Sequence, residues 1–135
     1  PVRVVSFLGT VLPAHCTAAG KAHLTFESES AAGQNLPEHL ERYTENTITE
    51  ATKLEAELEA IRKTEISIDN QEFLAGVVCV AVPVRSAGGQ RVAALAISAP
   101  LARMSLEQGL QHVPLLQATA DRLTATIDES GQENT

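Results

Sequence analysis

The chain has 135 residues, which fits one domain, because independently folding units usually run to about 100 to 200 residues. Hydrophobic residues make up 44% of the chain and charged residues 20%, close to the average of globular proteins, which excludes a wholly disordered or fibrous class. Ten basic residues against seventeen acidic ones give a formal charge of −7. Since nucleic-acid affinity depends on neutralising phosphates, the charge also excludes DNA binding by this chain unaided.

The first third of the chain predicts a strand followed by two helix starts. Val2 to Leu8 is rich in β-branched and aromatic residues and predicts a strand. The small residues within His15 to Lys21 predict that a helix begins there. Asn35-Leu36-Pro37 is typical of a helix opening, and we expect a short helix that carries Leu40 and Tyr43 inward.

The middle of the chain predicts one surface helix and one β-hairpin. Apolar residues between Ala51 and Ile61 recur at helical spacing among charged ones, and Thr47 with Glu50 has the pattern of a capping box. Val77 to Arg85 and Arg91 to Ala99 are rich in valine, alanine and isoleucine, and a glycine-containing turn separates them. We expect these two segments to form a central β-hairpin.

Prolines and polar runs predict where the later elements bend or end. Pro83 cannot donate to a ladder, so it indicates an edge, a bulge or a strand end within the hairpin. A final helix begins at Ser105, with Gln108 completing a capping box, and Pro114 should kink or divide it. Asp128 to Thr135 contains no apolar residue. We therefore expect one domain over residues 1 to 127 and a disordered tail over residues 128 to 135.

The sequence carries no membrane or secretion signal. The longest apolar run, Phe73 to Val84, is far shorter than the roughly 20 residues of a membrane span. Pro1 to Lys21 lacks the order of a basic, an apolar and a small-residue region that a signal peptide needs. Cys16 and Cys79 are too few for a disulfide framework and lack CxxC spacing, so reduced thiols are expected. These features predict a cytoplasmic protein without membrane contact.

The run from His15 to Lys21 permits two interpretations. Free N–H groups and the helix dipole at a helix N-terminus favour an anion, and small side chains let a carboxylate or phosphate approach them. The alternative is tight packing of an alanine-rich helix against the sheet, since most helix N-termini are capped by their own side chains. The run lacks GxxxxGK[ST] and GxGxxG, so no nucleotide loop is predicted.

A second polar group surrounds the predicted hairpin. Asp69 and Glu72 precede it, while Cys79 and Ser98 lie on its strands, and alternation places Cys79 on the same strand face as Val77. A thiol and a hydroxyl facing a helix N-terminus are suited to line a small polar pocket. The other interpretation is structural, because cysteine is among the residues most often fully buried.

The spacing of the candidate residues gives little support for a catalytic or a metal site. Cys79, His15 and Asp69 are the residue types of a thiolate, a base and an orienting acid, but their spacing matches no catalytic signature. A metal site from His15, Cys16 and Asp69 lacks HExxH or paired CxxC spacing. We therefore predict no enzyme, no cofactor and no metal.

Four segments together resemble one known family, the effector-binding domain of IclR-type bacterial transcriptional regulators. Leu12-Pro13-Ala14-His15-Cys16-Thr17-Ala18-Ala19-Gly20-Lys21-Ala22 is similar to the family's "LPAHxTAxGKA". The other three are the segment from Leu40 to Ile61, the segment from Ile68-Asp69 through Glu72, Gly76 and Cys79 to Ala81-Val82-Pro83-Val84-Arg85, and Val92-Ala93-Ala94-Leu95-Ala96-Ile97-Ser98-Ala99-Pro100. The resemblance covers nearly the whole chain.

The resemblance implies an α+β, GAF-like fold, a curved antiparallel sheet flanked by helices. In the family, a winged helix-turn-helix domain, a linker helix and a first β-hairpin precede the segment that matches this chain. We therefore expect DNA to be read only through an N-terminal domain outside this chain, and the fold here to lack its first hairpin. Homodimers or homotetramers are expected.

The resemblance also implies a binding site for a small carboxylic acid effector. The main-chain amides of Ala18 and Ala19 would hold the carboxylate, and Asp69, Cys79 and Ser98 would close the polar side. Apolar walls would come from Val4, Leu12 and Val77. The expected function is effector sensing and oligomerisation in a transcriptional regulator. An interaction module with a vestigial pocket and a small cysteine-dependent hydrolase are the alternatives.

Overall fold

The computed structural model describes Val4, residues 7 to 26 and residues 36 to 133, with side chains up to Ile127. Three antiparallel strands and four α-helices make up this part of the chain. In chain order they are a 3₁₀ turn Ala14–Cys16, α1 Ala18–Leu24, α2 Ala51–Thr64, β1 Ser67–Asn70, β2 Val77–Arg85, β3 Arg91–Pro100, α3 Leu106–Gln111 and α4 Val113–Glu133. Within the described residues, no helix combines the length and apolar character that crossing a membrane requires.

The strands form one sheet in the order β1-β2-β3. The β2–β3 hairpin confirms the prediction, and β3 runs one residue further, to Pro100. β1, which pairs with the first half of β2, was not predicted as a strand. Four residues give too little alternation to distinguish a strand from a loop, so the pairing partner decides their conformation.

Pro83 lies where β2 has a partner on one side only. It stands opposite Ala94 of β3, whereas the ladder to β1 ends at the pair of Ser67 and Ala81. The register shifts one residue later, between Val84 and Arg85. The prediction of an edge or bulge is therefore confirmed, because the missing N–H of Pro83 falls beyond the β1 ladder.

The sheet buries one face against the C-terminal helices and the other against α1. The first face forms the larger core cluster, in which alternate β2 residues meet the inward side of α4. Its buried members are Val80, Val82, Val84, Val113, Leu116 and Ala120. Cys79, one position out of phase, lies on the opposite side of β2, so the alternation in the sequence separates the packed face from the face that carries the polar residues.

The amphipathic helix α2 confirms its prediction and forms a second core cluster. Leu54, Leu58 and Ile61 are buried and contact Leu24 of α1 and Leu40 of the preceding loop. The helix ends at Thr64, and the C-cap residue Glu65 adopts a left-handed conformation with φ of 58°.

The prediction of a short helix after Asn35-Leu36-Pro37 is wrong, and so is the prediction that Thr47 and Glu50 form the capping box of α2. Residues 36 to 50 form a loop with one isolated bridge between His39 and Glu50, and Asn35 lies outside the described residues. The Thr47 hydroxyl accepts the main-chain N–H groups of Tyr43 and Thr44, at 3.0 and 2.9 Å. Those bonds satisfy the local backbone without a helix, and Glu50 caps α2 with no side-chain hydrogen bond.

Leu40 and Tyr43, expected to point inward from that helix, differ in burial. Leu40 is half-buried and packs against the α2 cluster, as expected, even though it lies in a loop. The Tyr43 side chain is 41% exposed, with its ring edge-on to Phe73. The prediction that Tyr43 points inward is therefore wrong.

The C-terminal helices match the predicted start and division. Ser105 caps α3 with a complete capping box to Gln108, and the helix is interrupted at His112, so Pro114 lies in the first turn of α4. Helical backbone then continues to Glu133, through most of the segment expected as a tail, and residues 134 and 135 lie outside the described residues. The domain boundary at residue 127 stays a prediction.

The predicted strand from Val2 to Leu8 lies mostly outside the described residues. Its described members, Val4, Phe7 and Leu8, adopt no strand, and Phe7 to Thr10 form a turn closed by the Thr10 N–H on the Phe7 carbonyl at 3.2 Å. Leu8 is fully exposed at the tip of that turn.

Candidate functional site

A cavity of about 200 Å³ lies between the start of α1, the polar side of β2 and β3, and the loop that follows β1. All eight residues predicted for the effector site line it: Val4, Leu12, Ala18, Ala19, Asp69, Val77, Cys79 and Ser98. Six further residues of the lining were not predicted: Phe7, Thr10, Thr17, Phe73, Leu74 and Ala96. Phe73 and Leu74 follow Asp69 by only four and five positions. This closeness to Asp69 was the only feature of the sequence that could have indicated them as lining residues.

The helix start at the cavity is shaped by Thr17. Its hydroxyl donates to the Pro13 carbonyl at 2.9 Å and accepts the Gly20 N–H at 3.2 Å, so Thr17 is the N-cap of α1. The amides of Ala18 and Ala19 belong to the first turn, where helix geometry offers no intrahelical acceptor. A lining of alanines leaves these main-chain groups accessible at short range.

Gly20 is the position where the small-residue run is a steric requirement. A Cβ on Gly20 would lie 2.4 Å from the Thr17 hydroxyl oxygen and 2.6 Å from both the Cα and the carbonyl oxygen of Ala14. Two of these three atoms are backbone and cannot rotate away. The 3₁₀ turn therefore folds back onto α1 only because residue 20 has no side chain.

Strand register brings Asp69, Cys79 and Ser98 into one row across the sheet. Asp69 is directly opposite Cys79, and Cys79 is directly opposite Ser98. The Ser98 hydroxyl donates to Cys79 Sγ at 2.9 Å, and Asp69 is near enough to influence the pKa of the Cys79 thiol. Residues 69, 79 and 98 thus form a polar row that lines the cavity.

The Asp69 carboxyl is buried, with 3% of the residue exposed. Its Oδ1 accepts the main-chain N–H of Glu72 at 2.7 Å. Burial raises the pKa of Asp69 to about 6, and the negative charge of Glu72 acts in the same direction, against the Glu72 N–H bond and the positive charge of Lys21. Asp69 therefore titrates close to neutral pH, which an exposed aspartate does not.

A buried ion cluster lies directly behind Asp69, and the sequence did not reveal it. Lys21 of α1 is completely buried, and its Nζ lies 2.7 Å from Oε1 of Glu72 and 3.1 Å from Oε1 of Glu57 on α2. The Glu72 carboxylate also accepts the Asn70 N–H at 3.0 Å. Lysine is almost never fully buried unless it is paired, so the sequence alone favours an exposed side chain at position 21.

The alternative of a cysteine hydrolase conflicts with the geometry. The His15 ring Nε2 lies 2.8 Å from the Glu41 carbonyl oxygen, whereas the Cys79 sulfur accepts the Ser98 hydroxyl at 2.9 Å. Burial raises the pKa of the Cys79 thiol to about 11 and that of the Cys16 thiol to about 12. Both sulfurs are therefore protonated thiols at neutral pH, which are poor nucleophiles. In the described part of the chain, no cluster of three metal-ligating side chains occurs.

Comparison with known proteins identifies the family. The family model described as bacterial transcriptional regulator IclR C-terminal matches residues 1 to 125. "Probable transcriptional regulator SauR" of Cupriavidus necator is 39% identical over 131 residues, which cover 96% of this chain and 52% of that protein. The HTH-type transcriptional regulator KdgR of Escherichia coli is 34% identical over 127 residues, covering 93% of this chain and 48% of that protein.

Solved structures show the same similarity. A protein described as a transcriptional regulator from Rhodococcus sp. RHA1 superimposes with a TM-score of 0.84 at 36% identity, over 92% of this chain and 51% of that one. A double mutant of the PobR inducer-binding domain from Acinetobacter, in complex with 3-hydroxy benzoic acid, gives a TM-score of 0.81 at 31% identity, over 92% of this chain and 74% of that one.

These matches confirm the α+β, GAF-like fold, since this chain superimposes over more than nine tenths of its length on solved regulators of the family. The relatives are transcriptional regulators and not enzymes, which confirms the prediction that the chain is not an enzyme. The chain spans about half the length of the curated relatives it matches. It belongs to the IclR family of bacterial transcriptional regulators and corresponds to the C-terminal domain of that family.

Proposed function

We propose that this domain senses a small carboxylic acid in the cavity between α1 and the sheet. The observation that carries the proposal is the convergence of three kinds of group on one space of about 200 Å³. The first-turn amides of α1 offer donors to an anion, the row from Asp69 to Ser98 offers a polar side, and apolar residues provide walls. This arrangement suits a ligand with one charged end and a compact body.

The chemistry of each side favours a carboxylate with a second polar group. A helix N-terminus contributes typically about 0.3 to 1 kcal/mol to a nearby anion when exposed, and charge-assisted N–H bonds contribute more in a dry cavity. Asp69 beside a bound carboxylate is unfavourable if both are charged. A pKa of about 6 lets Asp69 take up a proton and then donate to a ligand oxygen.

A solved relative supports the ligand class. The inducer-binding domain of PobR is described in complex with 3-hydroxy benzoic acid, which combines a carboxylate with a hydroxyl group. By analogy, we propose that binding of an acid here biases the arrangement of homodimers or homotetramers. Those oligomers would control DNA through N-terminal domains outside this chain.

A thermal-shift panel of small carboxylic acids tests the proposal. The panel contains α-keto, α-hydroxy and aromatic acids, each paired with its neutral amide. An acid at about 100 times its dissociation constant should add roughly 2.7 kcal/mol to the free energy of unfolding, which raises the melting temperature by about 10 °C. The amide analogue should add much less, because it lacks the charge that the α1 amides favour.

A panel in which no acid shifts the melting temperature of the folded protein would remove the main support for sensing. The interaction module with a vestigial pocket would then be the better interpretation. Equal shifts by an acid and its amide would retain a binding cavity but contradict recognition through the carboxylate.

Two substitutions at Cys79 test whether this side chain lines a ligand cavity. Cys79→Ser keeps a small polar group and should change acid affinity by about 1 kcal/mol or less. Cys79→Leu adds volume where the ligand should lie and is expected to abolish the thermal shift. Without ligand, its free energy of unfolding should fall by less than the roughly 1 to 3 kcal/mol that overpacking a dense core costs. Calorimetry on both variants, with and without the acid found in the panel, measures both quantities.

The same variants also test the alternative of a cysteine-dependent hydrolase. A thiol with a pKa of about 11 should label slowly with iodoacetamide at neutral pH, as followed by mass spectrometry. Rapid labelling of Cys79, together with acid binding that Cys79→Leu leaves unchanged, would contradict its assignment to the cavity.

The isolated domain should not bind duplex DNA at physiological salt. Its formal charge of −7 opposes the phosphate backbone. A gel shift with the isolated chain should show no retardation at micromolar protein. Retardation that weakens with added salt would contradict this expectation.

A further inference from the structure

The buried lysine on α1 is connected to the cavity through one short loop. Glu72 makes both connections: its carboxylate accepts Lys21 Nζ at 2.7 and 3.1 Å, and its main-chain N–H donates to Asp69 Oδ1 at 2.7 Å. The Thr47 hydroxyl donates to the Glu72 carbonyl at 2.6 Å and fixes the residue from a third side. Every polar group of Glu72 therefore has a hydrogen-bond partner, and the Asp69 carboxyl is one of these partners.

We propose that Lys21 and Glu72 are positioning residues of the cavity. As an ion pair they hold the Asp69 carboxyl in the row with Cys79 and determine whether it faces a bound acid charged or protonated. This role rests on the proposed sensing function, because the charge of Asp69 matters to a ligand only if the cavity binds an acid. The effect of the Lys21 and Glu72 charges on the Asp69 carboxyl can be measured without any ligand.

The two members of the pair act on Asp69 with opposite sign. The Glu72 carboxylate is negative and disfavours a second negative charge at Asp69, whereas the Lys21 ammonium favours one. Lys21 is completely buried and the Glu72 side chain is 8% exposed, so water screens neither charge effectively. α1 supplies both Lys21 and the amides of the first turn, which couples the protonation of Asp69 to the element expected to hold the ligand.

The groups that face Asp69 come from several elements. Glu72 approaches from the loop after β1, Lys21 from α1 and Cys79 from β2, and each influences the Asp69 carboxyl. Cys16 of the 3₁₀ turn is close enough for the Asp69 charge to contribute to its raised pKa. Because burial keeps both thiols protonated near neutral pH, the charges that act on Asp69 from these groups are those of Lys21 and Glu72.

The experiment is a ¹³C NMR titration of the Asp69 carboxyl in the ligand-free domain, with the signal assigned by its loss in Asp69→Asn. It compares the native chain with Glu72→Gln, with the double variant Lys21→Met and Glu72→Gln, and with Glu57→Gln as a control on the outer side of Lys21. Glutamine at 72 keeps its main-chain N–H bond to Asp69 and removes only the charge.

Glu72→Gln should lower the Asp69 titration midpoint by about 0.5 to 1 pH unit, since a like charge is removed. Adding Lys21→Met should raise the midpoint again, because the favourable positive charge is then lost as well. Glu57→Gln should move it by less than about 0.2 unit, because its side chain is 32% exposed and screened. A merely structural role predicts another pattern: a loosened loop would hydrate Asp69 and lower the midpoint in both variants.

A midpoint unchanged in Glu72→Gln, or one in the double variant at or below that of Glu72→Gln, overturns the proposal. Should Glu72→Gln fail to fold, the double variant is compared with the native chain directly. Its midpoint is expected below the native one, because Glu72 has the stronger influence of the two, and the main-chain N–H of residue 72 should stay protected from hydrogen exchange. A midpoint at or above the native value, or a lowered midpoint with loss of that protection as in a loosened loop, overturns the proposal. An acid panel without binders would contradict the sensing function and leave the titration result standing.

Discussion

Lys21→Met should lower the free energy of unfolding by about 3 to 5 kcal/mol, the largest loss we expect from a single substitution in this domain. Methionine fills the space of the lysine stem, so packing changes little. The loss arises from Glu72, whose buried carboxylate keeps only the Asn70 N–H as a donor among the described residues once the ammonium is gone. A charge with so little hydration and no counter-charge is strongly destabilising. Urea denaturation followed by circular dichroism measures the loss.

Two control variants isolate the cause. Glu57→Gln removes the outer, partly exposed partner of Lys21 and should change stability by about 1 kcal/mol or less. The double variant of Lys21→Met with Glu72→Gln leaves no buried carboxylate unpaired, only the partly exposed Glu57, and should recover most of the loss. If Lys21→Met alone changed stability by less than about 1 kcal/mol, the burial of the Lys21 and Glu72 pair would be contradicted.

Gly20→Ala should destabilise the domain by about 3 kcal/mol, although alanine is the better helix former. In an unobstructed helix the substitution would stabilise by roughly 1 kcal/mol. Here the new Cβ would lie 2.6 Å from two backbone atoms of Ala14 and 2.4 Å from the Thr17 hydroxyl, so the 3₁₀ turn has to move away from α1. Overpacking of this kind typically costs about 1 to 3 kcal/mol, and immobile backbone places it at the upper end.

Gly88→Ala in the hairpin turn is the matched control, because the nearest atom to its new Cβ is the Ser86 hydroxyl oxygen at 3.8 Å. It should change stability by no more than about 0.5 kcal/mol. Thermal and urea unfolding of both variants give the comparison. Equal or increased stability of Gly20→Ala would mean that the 3₁₀ turn does not press against α1.

Part of the cavity could be anticipated from the chain alone. The run from Leu12 to Ala22, through its likeness to a family motif, pointed to the amides of Ala18 and Ala19, and strand alternation placed Cys79 on the face opposite the packed valines. The positions of Asp69 and Ser98 around the predicted hairpin suggested a polar group with Cys79, and the resemblance gave them their place in the effector site. Their alignment in one row depends on the register of three strands, one of which, β1, was not predicted.

Local sequence was a poor guide where long-range hydrogen bonds compete with it. Leu36-Pro37 has the pattern of a helix start, yet residues 36 to 50 form a loop because the Thr47 hydroxyl takes the amides of Tyr43 and Thr44 and donates to Glu72, 25 residues away. The preference for a helix is worth a few tenths of a kcal/mol per residue, which a buried set of hydrogen bonds exceeds.

The sequence by itself determined the elements whose signal is periodic or local. The spacing of Leu54, Leu58 and Ile61 specifies α2, and the capping box of Ser105 specifies the start of α3, because helix and cap energetics depend on neighbours a few residues apart. Only the tertiary structure decided that Lys21 is buried and that Asp69 titrates near pH 6. Burial and charge pairing depend on residues that are 36 to 51 positions apart and meet only after folding, so no local pattern encodes them.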